Sequence, residues 1–401
     1  HAPTPVTDAK ATARRTILSG PVLPTMMGLA LPTIGVLLAQ TLVGVAEAFY
    51  VGFLDTDALV GVALVFPLWM LMTMMSAGGI GGGVAAAVAR AVGSWRHGDA
   101  DALVRHALVL AVGFGLLFTA GAFLLGPSLF RALGAESGAL EAAVLYSGFV
   151  FAGAVPTWIV NLLSAALRGA GNVTVPARVT LAGAVALVPL SPALIFGVGP
   201  LPGLGVAGAG IALSVYSTAA AAALLLHLAG GRSGLSLRRG ALEMRLFRDI
   251  LGVGLVSALS TVQLNVTVIL VTGVVGRFGP EALAGYGAAS RLDYLLIPLL
   301  FGLGTAVVTM VGTTLGAGDL ARARRVTWTG TLVGAAFTGT VGVLAAVFPS
   351  VWLGLFSQDP GVLAEGTRYL QTVAPVYAAV GMTFILSFAS QGGGRPLWPL
   401  L

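Results

Sequence analysis

Acids and bases are so sparse in this chain that they cut it into long uncharged runs, at residues 16–46, 58–89, 107–130, 142–167, 179–226, 250–276, 294–318, 326–358 and 369–394. A helix needs about 20 apolar residues to cross a bilayer. The nine runs therefore predict ten spanning helices once 179–226 is divided at its Gly/Pro-rich break, Gly197 to Gly205. Hydrocarbon offers the backbone no partner but itself, so each run is expected to be helical. The fold class expected is an all-α polytopic membrane protein.

Composition agrees: 57% of residues are hydrophobic and 9% charged, where soluble domains carry roughly one quarter charged. The net charge of +6 raises the question of nucleic acid, and the placing of the bases answers it. With the N-terminus inside, Lys10, Arg14, Arg15, Arg90, Arg96, Arg105, Arg168, Arg178, Arg232, Arg238, Arg239, Arg245, Arg248, Arg322, Arg324, Arg325 and Arg395 share one side, 17 of the 21 basic residues. Arg131, Arg277 and Arg368 fall opposite, and Arg291 lies within a span. This is the positive-inside pattern of a multi-pass protein of a bacterial inner membrane with a cytoplasmic N-terminus, so the partner is a bilayer and no nucleic acid is expected. The chain has no cysteine, which removes disulfides and thiolate metal sites. Residues 1–20 read as a cytosolic tail without the apolar core of a signal peptide.

The pattern also repeats. Asp57-Ala-Leu-Val-Gly61 matches Glu281-Ala-Leu-Ala-Gly285 at an offset of 224. With one residue's adjustment Gly79 meets Gly302, Gly93 meets Gly316, Tyr146 meets Tyr369, Gly171 meets Gly394 and Pro176 meets Pro399. Fixed-offset matches of this kind mark a duplication. Six spans per unit keep both units in one orientation, related by an axis along the membrane normal. The expected division is residues 21–230 for helices 1 to 6, 231–248 for a basic linker, and 249–401 for helices 7 to 10 and the turn into an eleventh. Two further helices, twelve in all, are expected of the intact protein, as two lobes around a central cleft.

At this level the residues resemble the multidrug and toxic compound extrusion (MATE) family. Glu47-x-x-x-Val51-Gly52 resembles its acid-x-x-x-Val-Gly ending of helix 1, and Leu167-Arg168-Gly169-Ala170-Gly171 with Pro176 its turn after helix 4. Gly205 to Gly210 resembles the start of helix 6, Leu315 to Asp319 the turn after helix 8, and Leu355 to Asp359 the loop before helix 10. The family usually has aspartate where Glu47 stands. Acids that one branch carries on helices 7 and 10, and another on helix 5, have no counterpart here. The resemblance implies secondary active efflux of amphipathic or cationic organic compounds by alternating access, driven by inward H+ or Na+. It implies no cofactor, and a monomer is expected. A flippase for lipid-linked saccharide precursors is the alternative, followed by a membrane-embedded enzyme or a channel.

Two acids lie deep. Glu47 is eight residues before Asp55, roughly 12 Å along its helix, and Asp293 twelve beyond Glu281, roughly 18 Å. Both depths bracket the middle of a core about 30 Å thick. Charges in hydrocarbon are expensive and usually mark an ion or substrate path, so Glu47 and Asp293 are the ion-coupling candidates, with Arg291 as a neighbouring fixed cation. Arg291 and Asp293 are two apart, which points them to different sides of a helix. Gln40, Asn161, Gln263 and Asn265, with Trp158 and Tyr286, either line the cleft or serve as hydrogen-bonding glue between helices. The glycines of Gly78 to Gly83 are expected to permit close helix contact, and His97 and His106 to be solvated at the inner surface.

Overall fold

The computed structural model describes residues 5–199, 201–231, 235–237 and 240–397. Arg232, Arg238 and Arg239 of the linker, and Pro399 of the repeat, lie outside the described residues. The chain runs α1 (Pro5–Ser19), α2 (Val22–Gly52), α3 (Thr56–Met74), a π-helical turn (Met75–Ile80), α4 (Gly81–Gly93), α5 (His97–Ala132), α6 (Ser137–Ala152), α7 (Ala154–Gly169) and α8 (Thr174–Phe196). A two-stranded hairpin follows, β1 (Gly197–Val198) with β2 (Leu201–Pro202), at the predicted Gly/Pro break. Then come α9 (Val206–Ala229), α10 (Met244–Val275), α11 (Pro280–Gly316), α12 (Leu320–Val347), α13 (Pro349–Leu353), α14 (Pro360–Val373) and α15 (Tyr377–Gly392).

Among the described residues nine helices are long and apolar enough to cross a membrane, and the pair α6 and α7, bent by 46°, makes a tenth. The protein is a polytopic all-α membrane protein. Side chains fix where spans begin: Asp55 accepts from Ala58 N at 2.6 Å, Asp319 from Arg322 N at 2.8 Å and Asp359 from Gly361 N at 2.8 Å. Each satisfies donors that a helix start leaves unpaired.

The duplication is written into the packing. A side chain on Gly93, at the end of α4, would collide with the carbonyl of Thr313 on α11; one on Gly316, at the end of α11, would collide with the carbonyl of Arg90 on α4. Both pairs exchange under the offset of 223. A Cβ on Gly79 would lie 2.9 Å from Ala258 Cα of α10, and the counterpart Gly302 of α11 packs on Ile34 of α2. Gly169 rests on Ala85 as Gly392 rests on Val308, and Gly138 on Asp57 as Gly361 on Glu281. The reciprocal contacts of Gly93 and Gly316, and of Gly79 and Gly302, cross between the halves and are those of a two-fold axis passing between α4 and α11, and the other pairs repeat within each half. The run Gly78 to Gly83 thus lets helices cross closely, as expected.

The contacts of Gly79, Gly302, Gly93 and Gly316 join the halves from mid-span to the end that carries most of the bases, here termed the basic end. Arg90 adds an ion pair to Asp249 at 2.5 Å and a bond to Gly392 O at 3.3 Å. Toward the far end, α2 exposes Leu42, Val45 and Phe49, and α10 exposes Leu264, Val266 and Leu270. Two apolar cores result, one per half, and α2 is shared between them. Met26, Leu29 and Ala30 belong to the core of the second half, whereas Val51 belongs to that of the first.

The described residues of the linker are tied to α5. Asp101 accepts from Ser236 N and Oγ, each at 3.0 Å, and Asp99 pairs with Arg245 at 2.9 Å. His106, expected to be solvated, is fully buried. Its Nδ1 lies 2.7 Å from Ala102 O and its Nε2 accepts from Glu243 N at 2.8 Å, which selects the Nδ1–H tautomer. The reason for the correction is the returning linker, which covers the first turns of α5.

Candidate transport site

Glu47 sits in the outer half of α2 and is half-buried, with Oε1 sealed from solvent and no hydrogen-bond partner. Ser191 of α8 faces the carboxylate, and its own Oγ is likewise sealed without a closed bond. Buried polar atoms nearly always find a partner, and for this carboxylate and this hydroxyl the partner within reach is the other. Ser191 lies between Pro189 and Pro192, both inside α8. Each proline withdraws an N–H, which leaves the carbonyls of residues 185 and 188 without their usual helical partner. The buried Tyr146 of α6 completes the surroundings. Further down α2, Gln40 reaches Tyr216 of α9, which also reaches Thr180 of α8.

Asp293 occupies a matching place in the second half. Tyr369 donates to Asp293 Oδ2 at 3.5 Å, and the Tyr377 hydroxyl faces the same carboxylate without closing a bond. Tyr369 is the repeat counterpart of Tyr146, so each half sets a tyrosine of its fourth span against an acid. The acids come from different helices, α2 in one half and α11 in the other. Glu47 and Asp293 therefore sit in separate polar clusters, each within its own half.

Arg291 is exposed and stacks on Phe356 at 5.1 Å, turned away from Asp293 as the two-residue spacing predicts. Tyr286 sets its ring edge on Tyr369, with centroids 5.3 Å apart, and the two line a cavity of about 410 Å³ with Glu281, Glu365 and Arg368. The equivalent face of the first half is covered by α9, whose Gly210 lies on Tyr146 and Phe149. Trp158 does not line a cleft. It is fully buried, stacked on Phe114 at 4.9 Å with Phe118 beside it, and belongs to the core of the first half. Asn161 donates to Ser76 Oγ in the π-helical turn at 2.7 Å, which is glue between α7 and the second span. Gln263 and Asn265 lie exposed on α10, and Asn265 donates to Thr261 O of its own helix at 2.8 Å. Sequence reasoning missed Ser191, Tyr216 and Tyr377; the paired prolines around Ser191 were the signal to follow.

The MatE family profile matches residues 32–193 and 257–401, most of the chain and both halves. The chain belongs to the MATE family of transporters. It is 26% identical over 396 residues to an FAD transporter of Shewanella oneidensis, covering 97% of this chain and 86% of that protein. It is also 26% identical over 382 residues to a probable multidrug resistance protein NorM of Thermotoga maritima, covering 94% and 81%. A crystal structure of MATE in the bent conformation superposes with a TM-score of 0.88 at 23% identity, over 100% of this chain and 86% of that one. An outward-facing multidrug resistance MATE transporter gives 0.86 at 24%, over 96% and 86%.

As a MATE transporter the chain is no enzyme, and membership does not favour the flippase alternative. Bacterial relatives and the spans make it a multi-pass inner-membrane protein.

Proposed function

We propose that the protein exports amphipathic or cationic organic compounds by alternating access, driven by inward proton flow through Glu47. The observation that carries this reading is the unpartnered Oε1 of Glu47 beside the unpartnered Oγ of Ser191. A carboxylate in such a place takes either a proton or the cationic head of a substrate. Ser191 serves both protonation states, donating to the carboxylate or accepting from the acid. Competition for one oxygen then couples the two fluxes: a proton arriving from outside displaces the cation, and the neutral site permits the halves to rock. With the basic end assigned to the cytoplasm by its arginines, the contacts between α4 and α11 form the inward closure of the transporter.

The deciding experiment drives dye out of vesicles with an imposed pH gradient or an imposed sodium gradient. Efflux driven by the pH gradient is expected; efflux that follows sodium alone would make the coupling ion sodium, and efflux indifferent to both would end the reading. Substrate counterflow separates a carrier from a channel. Asp293→Asn is expected to lower coupled efflux by about tenfold, the equivalent of ~1.4 kcal/mol. Tyr369 and Tyr377 remain to hold the amide, so the loss stays well short of that for Glu47. Equal initial rates in the two proteins would remove Asp293 from the mechanism.

A further inference from the structure

The second span of each half ends in the same turn. Arg96 N bonds to Ala91 O at 2.9 Å and Trp95 N to Val92 O at 3.3 Å; in the second half Asp319 N bonds to Thr314 O at 2.9 Å and Gly318 N to Leu315 O at 3.0 Å. The turns after α7 and α15 repeat the pattern at Gly171 and Gly394. Such a helix end requires one residue in the left-handed region, where glycine is the natural occupant. Gly318, Gly171 and Gly394 have φ of 80°, 84° and 73°, but the fourth position is Trp95, at φ 58°. An indole-bearing residue is strained there, and strain that persists points to a role.

The role lies above the ring. The Arg14 guanidinium of α1 stacks on Trp95 at 4.4 Å and donates Nε and Nη2 to Gly93 O at 3.1 and 2.9 Å, capping a carbonyl that α4 leaves free. Ala13 and Ile17 of α1 also meet Gly171. The other edge of α1 belongs to the second half. Arg322 of α12, itself buried, donates Nε to Ile17 O at 2.8 Å and Nη2 to Gly20 O at 2.5 Å, and Ile17 is buried in the second-half core. Thus α1 crosses the basic end and touches both halves.

We propose that α1 is a strap holding the basic end shut, anchored to the second half by Arg322 and latched to the first by Arg14 on Trp95 and Gly93. This rests on the alternating-access reading above. When the halves part at the basic end, the latch is the attachment that breaks. It is part-exposed and gathers on one strained turn, whereas the Arg322 anchor is buried and α1 continues into the portion of α2 that packs with the second half.

The chain has no cysteine, so Gly98→Cys and Leu320→Cys, both exposed near the basic end on opposite halves, can carry a spin-label pair. Their separation is read in vesicles by pulsed electron resonance across a pH series. Trp95→Gly and Arg14→Gln are each expected to raise the long-distance population several-fold, and the double variant no further than the larger single. Trp95→Gly relieves the turn, so its melting temperature is expected to hold or rise, which separates loss of a latch from loss of folding. Distance distributions in both variants identical to the parent would overturn the latch. A parent that never shows a second distance would overturn the alternating-access reading and the strap with it; a parent that opens while both variants match it overturns the strap alone.

Discussion

Glu47→Gln abolishes efflux driven by a pH gradient, with an expected loss of at least about a hundredfold, equivalent to ~2.7 kcal/mol. Glutamine has nearly the shape of glutamate, so packing around Tyr146 and Ser191 is kept, and the melting temperature and yield should not move. What changes is that the amide neither ionises nor releases a proton. The site is fixed in the state that a protonated Glu47 would give, the cationic head of the substrate loses its counter-charge, and the gradient has nothing to act on. Glu47→Asp keeps the acid and withdraws it by one methylene, and it should retain coupled transport within about tenfold, ~1.4 kcal/mol. Vesicles carrying Glu47→Gln at matched density, compared with the parent by initial rate, decide the matter. Coupled efflux at the parental rate would take the proton role away from Glu47.

Much of the fold was legible because charge is so scarce. A chain whose acids and bases fall almost entirely between spans announces its helices, and the matching pairs Asp57 with Glu281 and Gly93 with Gly316 announced the two-fold axis that the contacts obey. The depth of Glu47 was readable from helix rise alone. Its surroundings were not, since one sequence does not tell which face of α8 turns toward α2; the Pro189–Pro192 pair marked freed carbonyls, but not where they would point.

Trp158 shows the converse failure. In an apolar span an aromatic ring fits a cleft or a core equally well by pattern, and the deciding neighbours, Phe114 and Phe118, come from α5, some forty residues earlier. His106 was misread for a related reason. A histidine at the edge of a span looks solvated until the linker folds back over it, and that return is a long-range contact with no local signal.

The contacts that were legible also give the second large effect. Gly93→Leu is expected to shift the balance away from the form closed at the basic end by more than a hundredfold, and to slow transport accordingly. Small-to-large changes in a packed interior cost typically 1–3 kcal/mol, roughly, because neighbours can shift a little. Here the obstacle is the backbone carbonyl of Thr313, fixed in α11, and even a Cβ overlaps it. The penalty therefore belongs at or above the upper end of that range, and ~2.7 kcal/mol already corresponds to a hundredfold. It applies only while α4 and α11 are in contact, so the variant should fold, insert and gather in the form open at the basic end. By the two-fold axis, Gly316→Leu, which meets the carbonyl of Arg90, must behave alike. Gly98→Leu, on the same surface with open space around it, should do nothing. Spin-label distances across the basic end, read beside transport rates, test all three. Parental distances and rates in Gly93→Leu would mean that the α4–α11 contact is not the inward gate.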